Sequence, residues 1–292
     1  MMVRKPSITN TQIFTCYSYK GGSGRTVAAA NIATALAKQG KGVLIIDMDI
    51  EAPGLQNVFE VTETDKYRKK RGIQDYLKLH ISLEELNDLA VFDLTNGFDT
   101  PSAFSFPHGG SLRFLAASTR TTNVLSELSE LPERMEVLVD YFAERYNLDY
   151  IIIDAASGIR EAFTLALNVT NVLLVFFRWT RQHLEGTIKI GTLLEVMNEM
   201  GGTPNLQSFK LIASIVPNEE ELRVLKNKEL ANALLQIKKE SKVLLEEELD
   251  EAGELFYEIP EVLELKWRER ILVASKGNTP YDVIAKSLME EQ

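Results

Sequence analysis

A doubly wound α/β fold, with a mostly parallel sheet covered by helices on both faces, is predicted by three observations. Strand-like and helix-like segments alternate along most of the 292 residues, the order a parallel sheet requires. The strands are near-continuous apolar runs rather than alternating ones, which fits a sheet buried on both sides. A glycine-rich segment, Tyr19-Lys20-Gly21-Gly22-Ser23-Gly24-Arg25-Thr26, stands between the first strand and the first helix.

The elements follow in order. Ile13–Tyr17 is apolar and reads as a strand, and the alanine-rich stretch Val27–Lys38 reads as a helix stopped by Gly40 and Gly42. Val43–Ile46 is a second buried strand, ending in Asp47-Met48-Asp49. Residues 55 to 110 are less regular: Glu84–Leu89 has helical character, and Asn96–Gly110, rich in Gly, Pro, Ser and Phe, reads as a loop. Leu112–Ala116 is a strand and Pro132–Tyr146 a helix. Asp149–Asp154 is a central strand and Asn171–Phe177 another. Gln182–Met200 carries apolar residues at helical spacing (Leu184, Ile188, Leu193, Leu194, Val196). Lys210–Val216 is a strand, helices follow through Leu249, Leu255–Ile259 is a last short strand, and Asp282–Met289 closes as a helix. No fixed-period repeat and no Gly/Ser- or Pro-rich linker divides the chain, so one domain over residues 1–292 is expected, with 1–11 a flexible N-terminus.

Composition narrows the function. Hydrophobic residues make up 45% and charged residues 25%, ordinary for a globular protein. One cysteine, Cys16, rules out an internal disulfide and a cysteine-rich zinc site, and His80, His108 and His183 are too widely spaced for a metal-ligand pattern. No leader-like apolar core opens the chain, and no apolar run approaches the ~20 residues a membrane helix needs, so a cytoplasmic protein is expected. A net charge of −10 argues against bulk electrostatic binding of nucleic acid. The local exception is Lys66, Arg68, Lys69, Lys70 and Arg71, either a solvated basic loop or a contact for phosphate, DNA or a partner.

The chemistry concentrates at strand ends. A strand, a glycine loop and a helix start form a polyphosphate cradle: loop N–H groups point inward and the helix N-terminus adds donors and partial positive charge. Gly21, Gly22, Ser23, Gly24, Arg25, Thr26 and Val27 are the phosphate-binding candidates, and the Thr26 hydroxyl stands where a phosphate-bound Mg²⁺ needs an oxygen. Ligands of doubly wound sheets sit at the carboxyl ends of the strands. Two acidic elements end there, Asp47-Met48-Asp49-Ile50-Glu51-Ala52-Pro53-Gly54 and Asp154-Ala155-Ala156-Ser157-Gly158. Carboxylates beside a phosphate loop suit Mg²⁺ coordination and the positioning of water.

The loop departs from G-x-x-x-x-G-K-[ST], which would need Gly at 19 and Lys at 25. With Lys20 ahead of the glycine pair it resembles the deviant Walker A motif of the ParA/MinD ATPases, usually K-G-G-x-G-K-[ST]. The resemblance spans roughly residues 12 to 270, although its specific motifs cover only a few dozen. Lys20-Gly21-Gly22-Ser23-Gly24-Arg25-Thr26 with Asp49-Ile50-Glu51-Ala52-Pro53-Gly54-Leu55 is similar to a branch carrying K-G-G-V-G-R-[ST], as is Arg178 to Thr187.

That resemblance implies a P-loop NTPase fold of the SIMIBI type, with ATP and Mg²⁺ as cofactors. It implies that Lys20 reaches the partner subunit's nucleotide, that Asp49 orients or activates the attacking water, and that Arg25 stands for the P-loop lysine. It implies Thr26, Asp49 and Asp154 around Mg²⁺, and Gly158 offering its N–H to a γ-phosphate. It also implies an adenine site at Pro217-Asn218 and Ile259-Pro260-Glu261-Val262, with Asn218 and Pro260 foremost. No N-K-x-D motif for guanine is present, which favours ATP.

Four functions follow. The first is an ATP-dependent homodimer that hydrolyses slowly and engages a partner protein. The second is a nucleotide-binding scaffold with little or no hydrolysis, motivated by Arg25: a fork of five donors does not replace a compact ammonium conservatively. The third, a bacterial tyrosine kinase, is disfavoured because the tail from Tyr281 to Gln292 holds a single tyrosine. The fourth is a DNA- or membrane-bound positioning factor. The tail Ala285–Gln292 is too poor in cations and apolar residues for lipid docking, and DNA binding would rest on Lys66–Arg71 with Arg268 and Arg270. The charged helical stretch Glu219 to Glu254 is either a solvated amphipathic face or a partner-docking surface.

Overall fold

The computed structural model describes residues 10–78, 80–95, 104–106, 108–118, 130–199, 205–217, 228–249, 255–266, 269–273 and 277–290. Among them, eight strands form one sheet: β1 (Gln12–Tyr17), β2 (Gly42–Met48), β3 (Val91–Asp93), β4 (Ser111–Leu115), β5 (Tyr150–Ala155), β6 (Val172–Phe177), β7 (Ser208–Val216) and β8 (Leu255–Pro260). The order is β3-β4-β2-β5-β1-β6-β7-β8. Every pairing is parallel except β3 with β4 at one edge. From β1 the chain winds one way to β2 and β4, then returns through β5 and winds the other way to β8. The winding therefore reverses around β1 and β5, and a crevice opens above their carboxyl ends.

The helices are α1 (Arg25–Lys38), α2 (Leu55–Val58), α3 (Asp65–Arg68), α4 (Ile73–Leu77), α5 (Leu83–Ala90), α6 (Leu131–Tyr146), α7 (Glu161–Leu167), α8 (Arg181–Glu199), α9 (Lys228–Leu249) and α10 (Pro280–Glu290). The apolar strand runs feed both faces. Ile13, Tyr17, Ile151 and Ile153 join the core under α4 to α9, while Phe14, Cys16, Tyr150 and Ile152 join the core under α1, α2 and α10. Helix α1 is apolar nearly all round and buried nearly all round, the expected relation.

Two differences from the sequence reading have physical causes. The region after residue 55 holds four short helices and the edge strand β3; they are set by buried anchors such as Leu55, Phe59, Val61, Ile73 and Leu86 rather than by periodicity. Helix α7 is also an addition, seven residues long and held by buried Phe163, Leu165 and Leu167. Of the expected flexible stretch 1–11, residues 1–9 lie outside the described residues; Thr11 Oγ1 already donates to Leu148 O at 2.7 Å. Much of the 96–110 loop and residues 218–227, with Asn218, also lie outside them.

Candidate functional site

Topology assembles the site. Strand β5 lies between β2 and β1, so Asp154 stands opposite Asp47 on one side and Cys16 on the other. The loop leaving β1 curls over these strand ends and enters α1 at Arg25. Gly24, at φ 73°, is the N-terminal cap of α1, a left-handed conformation that suits glycine.

Arg25 is the centre of the arrangement. Its Nε donates to Asp154 Oδ1 at 2.5 Å and its Nη2 to Asp49 Oδ2 at 2.9 Å. The Arg25 side chain is 7% exposed, Asp49 17% and Asp154 0%. Burial works against the guanidinium charge, but Asp154 and Asp49 outweigh it and hold the group protonated well beyond its ordinary range. Asp154 is raised by burial, an effect that the Arg25 charge opposes. Its second oxygen, Oδ2, is buried and has no hydrogen-bond partner.

Asp47 differs in role from Asp49. It is fully buried and accepts the N–H groups of Asp49 (3.0 Å), Gly54 (3.2 Å) and Leu55 (3.2 Å). It thereby folds the segment 49–55 back over the crevice, and burial together with nearby Asp154 raises its carboxyl above the ordinary range. The returning chain meets α1 closely: a methyl group built on Gly54 would lie 3.2 Å from Thr26 Cγ2. Asp49 is thus aimed at Arg25, with Ala52 N donating to its other oxygen at 3.3 Å.

The remaining loop residues divide by exposure. Lys20, Gly21, Gly22 and Gly24 are exposed, Ser23 and Val27 are buried, and Thr26 is intermediate. Gly158 has φ 81°, and its N–H donates to Ser18 O at 3.3 Å, so the group expected to face a phosphate is held by the base of the loop here. Glu51 and Arg160, from the two segments that follow β2 and β5, form an ion pair. At the far end of the sheet, Val216 pairs with Pro260 and Glu261 N donates to Val216 O at 2.7 Å. Pro217 and Pro260 therefore lie on neighbouring strand ends and are both exposed.

Among the described residues, no group of three or more His, Cys, Asp or Glu has metal-holding geometry, and no helix is long and apolar enough to cross a membrane. The oxygens that could hold a cation beside the loop are those of the Thr26 hydroxyl, Asp49 and Asp154. All are hard oxygens of the kind Mg²⁺ prefers, and Asp154 Oδ2 is unpartnered. That set fits a magnesium ion carried in with phosphates, provided Arg25 gives up its hold on the carboxylates.

The basic cluster is divided, with Lys66 and Arg71 half-buried and Arg68, Lys69 and Lys70 exposed. Lys66 donates to Val91 O at 2.8 Å, Arg68 pairs with Glu63 and Asp65, Arg71 with Asp75, and Arg270 with Glu264. Sequence reasoning missed two features around the loop. Tyr19 lies against Gly186 of α8, and Ser214 and Ile215 of β7 reach Ser23 and Gly24. The first was foreshadowed only by a glycine inside a helix; the second had no signal.

Comparison with known proteins is consistent with this geometry. Residues 14–261 match the family described as the CobQ/CobB/MinD/ParA nucleotide binding domain. An uncharacterised ATP-binding protein of Methanocaldococcus jannaschii is 28% identical over 192 residues, 66% of this chain and 61% of that protein. The septum site-determining protein MinD of Thermotoga maritima is 30% identical over 160 residues, 54% of this chain and 49% of that protein. The chain thus spans about half to three-fifths of the length of these curated relatives. Among solved structures, the MinC:MinD cell division complex of Aquifex aeolicus superposes with a TM-score of 0.61 at 24% identity, covering 97% of both chains. MinD of Pyrococcus horikoshii complexed with Mg-ADP gives 0.60 at 20% identity, covering 96% of this chain and 95% of that one. A plasmid partition protein of Borrelia burgdorferi gives 0.61 at 17%, covering 97% and 99%. At such identities these likenesses show the fold.

Proposed function

The chain belongs to the CobQ/CobB/MinD/ParA nucleotide-binding family, and from that premise we propose that it is an ATP-controlled dimerisation switch with slow hydrolysis. The observation that carries this reading is the Arg25 fork, which gathers Asp49 and Asp154 beside the phosphate loop. Arg25 neutralises the buried carboxylate of Asp154 and the half-buried one of Asp49. When triphosphate and its cation enter, Arg25 exchanges Asp49 and Asp154 for phosphate oxygens, to which a guanidinium donates bidentately.

Each residue then has a task. The N–H groups of Gly21 to Thr26 hold the phosphates. The Thr26 hydroxyl and Asp154, freed of Arg25, hold the cation, which when bound supplies charge neutralisation at the phosphates. Asp49 orients a water toward the γ-phosphorus; the water oxygen bonds to phosphorus, one of its protons passes to a phosphate oxygen, the β–γ bridging P–O bond breaks, and ADP and phosphate leave. Gly158 gives up Ser18 O for a γ-phosphate oxygen. Exposed Lys20 reaches the nucleotide of a second copy, giving an isologous pair whose joined surface engages a partner protein. Pro217 and Pro260 flank the base.

A second reading, a nucleotide-binding scaffold with little hydrolysis, is favoured by the same fork. If Arg25 keeps Asp49 after nucleotide binds, no carboxylate is left to orient water. Within the Lys66–Arg71 cluster, Lys66, Arg68 and Arg71 are engaged by contacts within the chain, which rests the DNA-associated reading on the exposed Lys69 and Lys70. Mass in solution with no nucleotide, ADP and ATP–Mg²⁺, measured together with phosphate release, tests the proposal. The switch requires a dimer specific to ATP, lost in Lys20→Ala and persistent in Asp49→Ala. A constant mass with bound nucleotide and no phosphate release selects the scaffold.

A further inference from the structure

Strand β7 carries a distortion next to the phosphate loop. Between Ala213 and Val216 it advances three residues while β8 advances two, from Glu258 to Pro260, so β7 holds one extra residue. The bulge centres on Ile215, whose φ is 55°. Left-handed backbone is costly for a β-branched residue and persists only where its surroundings impose it. In a regular strand the side chains of 214 and 215 would point to opposite faces. Here consecutive residues meet consecutive loop residues. The buried Ser214 hydroxyl bonds the Ser23 carbonyl and also lies 3.1 Å from Phe177 O. Ile215 Cγ1 and Cδ1 lie 3.7 Å from where a methyl group on Gly24 would be.

The same bulge governs the other end of the site. β8 carries an extra residue of its own between Leu255 and Tyr257, and the extra residue of β7 cancels that shift, bringing Val216 opposite Pro260 in the register of Leu211 with Leu255 and so setting where Pro217 and Pro260 stand at the crevice. We propose that the Ser214–Ile215 bulge is a positioning device for the nucleotide, with Ile215 as its positioning residue. It fixes the curvature of Ser23-Gly24 from behind and sets the span between the phosphate loop and the base-flanking prolines. The inference rests on the reading of this crevice as the nucleotide site. Local strain at Ile215 is retained because relaxing it would release the loop.

The test compares nucleotide affinity with thermal stability. Binding of fluorescent ADP and ATP analogues with Mg²⁺ and Tm without nucleotide would be measured for the wild type, Ile215→Gly, Ser214→Ala and Ile212→Val. Ile212 lies in the same strand, fully buried in the core under α1, so its variant reports plain loss of packing. In Ile215→Gly, relief of strain offsets lost packing, so the expected result is a Tm no lower than that of Ile212→Val with affinity for both nucleotides down at least 10-fold. Ser214→Ala is expected to weaken binding in the same direction, and Ile212→Val to leave it within 2-fold. Ile215→Gly binding like the wild type, or losing affinity only in step with Tm as Ile212→Val does, overturns the proposal while leaving the nucleotide site intact. A wild-type chain that binds neither analogue overturns the site reading itself and the proposal with it.

Discussion

Arg25 Nε sits 2.5 Å from Asp154 Oδ1, joining the first residue of α1 to the end of the central strand β5, with both side chains buried. A buried pair of this kind is weak evidence of net stabilisation, because both ions lose their hydration. Removing one partner is another matter. Arg25→Ala would take away the one charge that balances buried Asp154, whose Oδ2 has no partner, leaving it only the neutral Thr26 hydroxyl. Loss of about 3–5 kcal/mol is expected in denaturant unfolding of the nucleotide-free chain at neutral pH. Burial already raises the Asp154 carboxyl, so protonation relieves the stranded charge as pH falls, and the deficit shrinks toward acid. A deficit below about 1 kcal/mol would mean that the fork contributes nothing to the empty state.

Lys20 gives the opposite balance. It is exposed, and an exposed substitution away from caps and packing costs within about 0.5 kcal/mol. Lys20→Ala should therefore unfold like the wild type while losing any ATP-dependent gain in mass, read by light scattering. A variant that dimerises normally with ATP would remove Lys20 from the contact between copies.

Much of this was legible before the structure. β1, β2, β5 and β6 are buried on both sides, so their apolar runs are unbroken, and the glycine loop announces itself between strand and helix. Asp49 and Asp154 were legible as strand-end carboxylates. That both would fall on Arg25 was not, because it depends on β5 inserting between β1 and β2, a pairing fixed by tertiary contacts. Helices α2 to α4 were missed because four or five residues are too few to show a period. Ile215 could not be read at all: isoleucine disfavours the conformation it adopts, so local preference points the wrong way and the surroundings decide.

Gly186 tests how the loop is braced from α8. A methyl group there would lie 2.1 Å from Tyr19 Cδ1 and 2.8 Å from its Cβ, too close for the ring to remain. Gly186→Ala gains up to about 1 kcal/mol of helix propensity but must displace Tyr19, the neighbour of Lys20. Because the clash reaches Tyr19 Cβ, the expected outcome is a net loss of about 1–2 kcal/mol in stability together with ATP-dependent association weakened several-fold. Unchanged association would show that Tyr19 moves without carrying Lys20 along.

His183, in the first turn of α8, supplies the pH dependence. It is buried, its Nδ1 has no hydrogen-bond partner, and burial lowers its pKa below 6.5, with the nearby positive charges of Arg178 and Lys20 adding to the effect. The folded chain therefore prefers the neutral ring, whereas the unfolded chain takes up a proton at the ordinary value. Below pH 6.5 the unfolded state binds more protons, so stability rises with pH through the window between the lowered folded value and 6.5, and is level above it. His183→Gln removes that slope. Urea unfolding of both chains from pH 5 to 8 measures it: the wild-type curve should fall away from that of the variant below pH 6.5 and run parallel to it above. Parallel curves over the whole range would mean that His183 takes up its proton equally well in the folded chain, and that neither its burial nor its cationic neighbours disfavour the charge.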